Sequence, residues 1–183
     1  MKPLTYSVYT FEEMINNNYL YVDKSEYYWD LVKNGKGIYF MSRPGRFGKS
    51  LTLSALHAIF SGKRELFKGL AIDSQPYDWK AYPIIHLNMS DGTINSVESL
   101  ADAINDQLNY HADLYGVSLT NKSISLRFKE LIYGLAGDDN KVVILVDEYD
   151  KPILGNISNN NVKDILAELK GFYGILKSCE RKE

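Results

Sequence analysis

Two short runs in this 183-residue chain carry residue types at spacings that could do chemistry on a polyphosphate. The first is Ser42-Arg43-Pro44-Gly45-Arg46-Phe47-Gly48-Lys49-Ser50. A polyphosphate needs several converging N–H donors and a cation, and a loop wrapped around it at the start of a helix supplies both. The amides from Gly45 through Ser50 could form that cradle, with Arg46 and Phe47 inside it and Leu51 as the next residue of the helix. Gly48 permits close backbone approach, Lys49 reaches the β- and γ-phosphates, and the Ser50 hydroxyl is a ligand for Mg²⁺. The usual spacing, G-x-x-x-x-G-K-[ST], puts Arg43 where the first glycine belongs. Taken alone, the run reads equally well as a turn before a helix whose Lys49 faces solvent.

The second run is Val142-Val143-Ile144-Leu145-Val146-Asp147-Glu148. A continuous β-branched stretch is the signature of a strand buried on both faces, and this one ends in two adjacent carboxylates. Asp147 is placed to hold Mg²⁺, and Glu148 to orient and deprotonate an attacking water. Acidic residues at a strand end are common, but the two runs together, in this order, each at the C-terminal end of an expected strand, are much rarer than either alone. Open α/β sheets bind ligands at that end. A GTPase would show Asp-x-x-Gly at this point, yet the four residues from Asp147 end in Asp150, and no Asn-Lys-x-Asp guanine reader exists. A small-molecule kinase has no need of a water-activating Glu148, so the pair points to ATP and Mg²⁺, with hydrolysis. The expected catalytic residues are Glu148 and Lys49. The expected nucleotide-binding set is Gly45, Arg46, Phe47, Gly48, Lys49, Ser50 and Leu51, and the metal ligands are Ser50 and Asp147.

These runs need elements to hold them. Gly37 to Ser42, rich in β formers and bounded by turn residues, reads as the strand that enters the loop, and Leu51, Ala55, Leu56, Ile59 and Phe60 return at helical spacing after it. Asp23, with Glu26 three residues on, has the spacing of a capping box and starts a helix ended by Gly35 and Gly37. Residues 1–22 show no clear period. A short helix is expected around Glu65 to Lys68, and Pro83 to Leu87 reads as another strand. Two amphipathic helices follow, one carrying Val97, Leu100, Ala101, Ile104 and Leu108, the other Ile124, Phe128, Leu131, Ile132 and Leu135. The loop Gly155 to Asn161 precedes a last helix with Val162, Ile165, Leu166, Leu169, Tyr173 and Leu176 on one stripe. Strands separated by helices predict a parallel α/β sheet with right-handed crossovers, here of three strands.

The totals allow one domain with a real core. Hydrophobic residues make up 45% and charged residues 24%, and the net charge of −2 offers no global field for nucleic acid. The single cysteine, Cys179, excludes an internal disulfide and suggests a reducing, cytoplasmic setting. No run has the length of a membrane span.

The runs Tyr21 to Val32, Tyr39 to Leu56, Leu66 to Ile72, Tyr82 to Ser90, Val142 to Leu154 and Leu169 to Cys179 together resemble the AAA-ATPase-like domain of many bacterial proteins, a domain usually followed by a PD-(D/E)XK nuclease-like domain. The likeness runs from about Val8 to the chain end, and that family likewise has Arg-Pro where the first glycine belongs. It implies that Lys49 and Ser50 are the nucleotide and Mg²⁺ pair, and that Asp147 and Glu148 are the acidic pair. Arg43, Arg46 and Phe47 match the family loop, whereas Gly45 stands where a second arginine is more usual. The implied fold is a three-layer P-loop NTPase (ASCE/AAA-like) with a parallel sheet. Its single domain spans 1–183, with an N-terminal extension and helix over 1–36 and the core over 37–183. In that class a fourth strand inserts between the acidic strand and the loop strand. The chain ends before it, so the expectation is a C-terminally truncated domain without its sensor or arginine finger. The expected role is an ATP·Mg²⁺-binding, hydrolysis-competent regulatory module. Its expected partners are a nuclease-like domain or a partner chain, possible oligomer contacts included, with nucleic acid engaged only indirectly. An inactive nucleotide-binding or interaction fragment, and the ATPase part of a nucleic-acid-processing protein, stay open as alternatives.

Overall fold

The computed structural model describes residues 2–5, 8–42, 47–137 and 141–180. The chain divides into two compact units, Met1–Ile84 and Ile85–Glu183.

The first unit is helical. It contains α1 (Phe11–Asn16), α2 (Ser25–Val32), α3 (Lys49–Phe60) and two 3₁₀ turns, Arg64–Phe67 and Ala71–Ser74. The helix α1 lies where the sequence shows no period, because six residues are too few to display one. Its signal is the cap: the Thr10 hydroxyl accepts the Glu13 N–H at 3.3 Å, with Glu12 and Glu13 at the positive end of the helix. The Phe11 N–H donates to Ser54 Oγ at 2.9 Å, tying α1 to α3. Phe11 stacks on Phe67 with ring centroids 4.6 Å apart, and Ile59 and Ile72 are buried in the same unit. The expected 65–68 helix is the tighter turn Arg64–Phe67.

Asp23 is not the N-cap of α2; Lys24 is, and it makes no side-chain cap bond. Asp23 instead accepts the Ser25 N–H at 2.8 Å through one oxygen and the Ala71 N–H at 2.8 Å through the other. The fully buried Ser25 hydroxyl accepts the Ile72 N–H at 3.0 Å. These bonds staple α2 to the second 3₁₀ turn. Burial would raise the Asp23 pKa, but the hydrogen bonds from Ser25 and Ala71 outweigh it and hold the carboxyl below its ordinary value. Of the neighbouring aromatic residues, Tyr28 is buried, Tyr27 is exposed and Trp29 packs edge-on against Tyr77.

The expected loop-entering strand, Gly37 to Ser42, is not formed. Ile38, Tyr39 and Phe40 are 56%, 54% and 72% exposed. A β run becomes a strand only beside another strand that completes its hydrogen-bond ladder. Among the described residues the one sheet is built from other segments, so β propensity at 37–42 has nothing to act on.

The second unit holds that sheet and its helices: β1 (Ile84–Asn88, starting at the boundary), α4 (Val97–Tyr115), α5 (Ile124–Ala136), β2 (Val143–Asp147), α6 (Lys151–Leu154) and α7 (Val162–Glu180). The strands β1 and β2 pair in parallel, two strands among the described residues where the sequence predicts three. The helix α4 begins with a reciprocal cap between Ser96 and Ser99 and ends at Gly116, whose φ of 68° is one that glycine adopts without strain. Ile85, Leu87 and Met89 bury against Leu100, Ile104 and Leu108 of α4, and Phe128 of α5 stacks on Phe172 of α7 at 4.6 Å. Phe172 was missing from the expected stripe, and Leu166, included in it, is 38% exposed. The Glu130 carboxylate accepts from Thr120 and Asn121, backbone and side chain alike, closing the link between α4 and α5. In β2 only Leu145 is buried and its neighbours are half-buried, so the expectation of burial on both faces is not met. With one strand beside it rather than two, β2 has less cover than an internal strand. No helix of the described residues is long and apolar enough to cross a membrane.

Candidate functional site

The residues that could do chemistry fall into two sets, one in each unit, and each is described within its own unit. The first set sits at the start of α3. Phe47 is exposed, Gly48 is the N-cap, and Lys49, Ser50 and Leu51 form the first turn. Gly48 has φ 76° and ψ 25°, in the left-handed region that glycine enters at no steric cost. A Cβ added there would meet nothing within 4 Å, so the conformation and not crowding is what calls for glycine. Its carbonyl accepts the Thr52 N–H at 2.9 Å, the first bond of the helix. The amides ahead of that bond have no helical acceptor. Gly48 has no side chain with which to cap them, and the first turn carries no acidic residue. Such a terminus carries partial positive charge and donors aimed along the axis. Ser50 is exposed, while Lys49 is half-buried. Gly45 and Arg46, with Arg43 and Pro44, lie outside the described residues.

The second set ends β2. The Asp147 carbonyl accepts the Met89 N–H at 3.0 Å, which locks the last residue of β2 to the segment just beyond β1. The Asp147 side chain accepts the N–H of Glu148 at 2.9 Å. Glu148 has φ 50°, a left-handed conformation that a residue with a Cβ adopts at a cost of about 1–2 kcal/mol. Its carbonyl accepts the Lys151 N–H at 2.9 Å, so the strand turns sharply at Glu148 into α6. Pro152, in the first turn of α6, is buried, and Lys151-Pro152 starts that helix.

Asparagines hold the loops beyond the two strands. Asn156, 2% exposed, donates through Nδ2 to the Ile94 carbonyl at 2.7 Å and to the Pro152 carbonyl at 2.9 Å, and accepts from Asn159. Asn161 donates to the Asn95 carbonyl. The sequence reading of 155–161 as a loop is correct but missed this task, for which the cluster of asparagines itself was the only available signal. Asn88 and Ser90 bond one another: Asn88 Oδ1 accepts both the Ser90 N–H and its hydroxyl.

Electrostatics link β1 to the acidic end of β2. Burial pushes the His86 pKa below its ordinary value, the Asp147 carboxylate opposes that shift, and His111 reinforces it. An open cleft of about 770 Å³ along α4 is lined by Asp91, Asp102 and Asp106 among others, and includes neither Asp147 nor Glu148. No cluster of three or more His, Cys, Asp or Glu among the described residues is arranged to hold a metal ion.

Comparison with known proteins bears on this arrangement. The family model described as "Predicted AAA-ATPase" matches residues 5–182. An uncharacterized protein of the vnfD 5′ region in Azotobacter chroococcum mcd 1 is 34% identical over 183 aligned residues, covering 98% of this chain. The chain spans 35% of that relative's length. No solved structure matches it. The chain therefore belongs to the predicted AAA-ATPase family.

Proposed function

We propose that the chain is an ATP·Mg²⁺-binding regulatory module of P-loop type, with hydrolysis dependent on Glu148. The observation that supports this most is the left-handed Gly48 at the head of α3, followed by Lys49 and Ser50 on a first turn that carries no acidic residue. A phosphate chain suits that terminus for the same reasons that an acidic cap would. In this reading the loop amides and Lys49 hold the β- and γ-phosphates, with Gly45, Arg46, Phe47, Gly48 and Leu51 in the binding set. Ser50 and Asp147 hold Mg²⁺. The bound nucleotide supplies a phosphoanhydride bond polarised by the metal. Glu148 accepts a proton from the attacking water and fixes its direction. The left-handed turn supports that role, because it ends β2 abruptly at the acidic pair. The architecture that goes with this reading is a three-layer parallel sheet of the ASCE/AAA-like class, to which β1 and β2 contribute neighbouring strands.

A second reading, nucleotide binding without turnover, draws on one observation: Gly37 to Ser42 forms no strand to anchor the loop. Phosphate release separates the two. Hydrolysis by the chain that falls by about 100-fold or more in Glu148→Gln, with ATP binding retained, supports the first reading; binding with no release in either form supports the second. For the longer protein, the same reading proposes a nuclease-like domain or partner chain as the target of switching, with nucleic acid engaged only through it, in the cytoplasm.

A further inference from the structure

The edge of β1 that faces away from β2 is closed by side chains, not by a strand. Successive residues of a strand turn their N–H and C=O groups to opposite edges. Met89 donates toward β2, so the groups of His86 and Asn88 face the other way. There the Asn88 N–H donates to Gln107 Oε1 at 2.7 Å, and Gln107 Nε2 donates to the Asn88 carbonyl at 3.1 Å. One helical turn on, the His86 N–H meets His111 Nε2 at 3.1 Å, and the His86 carbonyl lies 2.9 Å from the same nitrogen.

The match has a simple metric cause. Residues four apart on a helix rise about 6.0 Å; residues two apart on a strand rise about 6.6 Å. Gln107 and His111 of α4 are thus spaced as a neighbouring strand's bonding groups would be, and they run antiparallel to Asn88 and His86, as a helix returning from a parallel strand must. A primary amide carries one donor and one acceptor, so Gln107 serves both groups of Asn88 at once. His111 Nε2 serves one group at a time, and its buried Nδ1 has no hydrogen-bond partner.

We infer that Gln107 and His111 act as a two-residue surrogate strand that seals the outer edge of β1 against pairing with another strand, including that of a second copy of this chain. The seal makes the sheet one-sided: strands can add only beside β2. An edge left bare would be a template for association. This inference does not depend on nucleotide binding.

Site-resolved amide hydrogen exchange on the chain tests it. In the native chain the amides of His86 and Asn88 are expected to be protected to the same degree as those of Ile85 and Leu87. Gln107→Ala is expected to lower protection at Asn88 by at least about tenfold, the loss of roughly one hydrogen bond's worth of local stability, while Ile85 and Leu87 hold. His111→Leu should do the same at His86, and His111→Gln, which restores a donor and an acceptor, should recover it. The double variant Gln107→Ala/His111→Leu should give a higher mass by light scattering than the parent at the same concentration. Unchanged protection at 86 and 88, or a loss spread evenly over all four amides, overturns the inference.

Discussion

Glu148 is where backbone and chemistry are most tightly joined. A left-handed φ of 50° in a residue with a Cβ is a local cost borne at the position proposed to activate water. Glycine would remove that cost, and alanine would keep it while deleting the carboxylate. Glu148→Gly is therefore expected to unfold at a higher urea midpoint than Glu148→Ala, by about 1 kcal/mol in free energy, although in an ordinary strand or helix the order would be reversed. Equal midpoints would show that the turn relaxes when the side chain is gone. Gly48 presents the opposite case: its φ of 76° is free to glycine. Its place just ahead of a helix was legible from the sequence, because apolar residues return at helical spacing after Lys49 and Ser50. The strain at Glu148 was not, since nothing in Asp147-Glu148-Tyr149-Asp150 announces a left-handed residue.

At the scale of elements, the segment that enters the phosphate loop is the sharpest departure from expectation. If Gly37 to Ser42 were a buried strand, Phe40→Ser would cost about 3–5 kcal/mol, as large-to-small changes in a core do. With Phe40 at 72% exposure, the expected cost is within about 0.5 kcal/mol. Phe172→Ala, which removes a fully buried ring stacked on Phe128, should cost the larger amount. Chemical denaturation of the two variants compares them directly, and a large loss for Phe40→Ser would restore the strand. The helices α4 and α5 and the strands β1 and β2 were legible because each carries a periodic or continuous apolar pattern long enough to read. The helix α1 was too short, and its only mark was Thr10 three residues before Glu13. Gly37 to Ser42 failed for another reason: strand formation depends on a partner that local sequence does not encode. The staple of Asp23 and Ser25 onto Ala71 and Ile72 was half legible, since Asp23 was recognised as a cap former but the backbone N–H donors of Ala71 and Ile72 lie 48 and 47 positions away from their acceptors.

For the molecule as a whole, the pH dependence of stability should carry the mark of His86. Its pKa is lowered in the folded chain, chiefly by burial. Below the ordinary value of 6.5 the unfolded chain takes up a proton that the folded chain still refuses, so His86 contributes stability above that pH that is lost as pH falls toward the folded value. The urea midpoint is expected to decline between about pH 7 and pH 5, before the carboxylates of Asp23 and Glu130, both held low by hydrogen bonds, begin to titrate. Asp147→Asn removes the charge that opposes the shift, so an imidazole titration followed by NMR should find His86 lower still. A higher value in that variant would break the proposed link between β1 and the acidic end of β2. The family was legible in the sequence because its marks are local runs. The activity of the family is a different matter, as the relative from Azotobacter chroococcum mcd 1, of whose length the chain spans 35%, is uncharacterized.

The central claim is that the head of α3 holds the phosphates of ATP. Calorimetric titration of ATP·Mg²⁺ into the chain and into Lys49→Ala tests it most directly. The parent should bind, and the variant, lacking a charge-assisted contact to the phosphates, should bind about 10- to 100-fold more weakly while still unfolding cooperatively. Equal affinity in the two proteins, or no binding by the parent, would contradict the assignment.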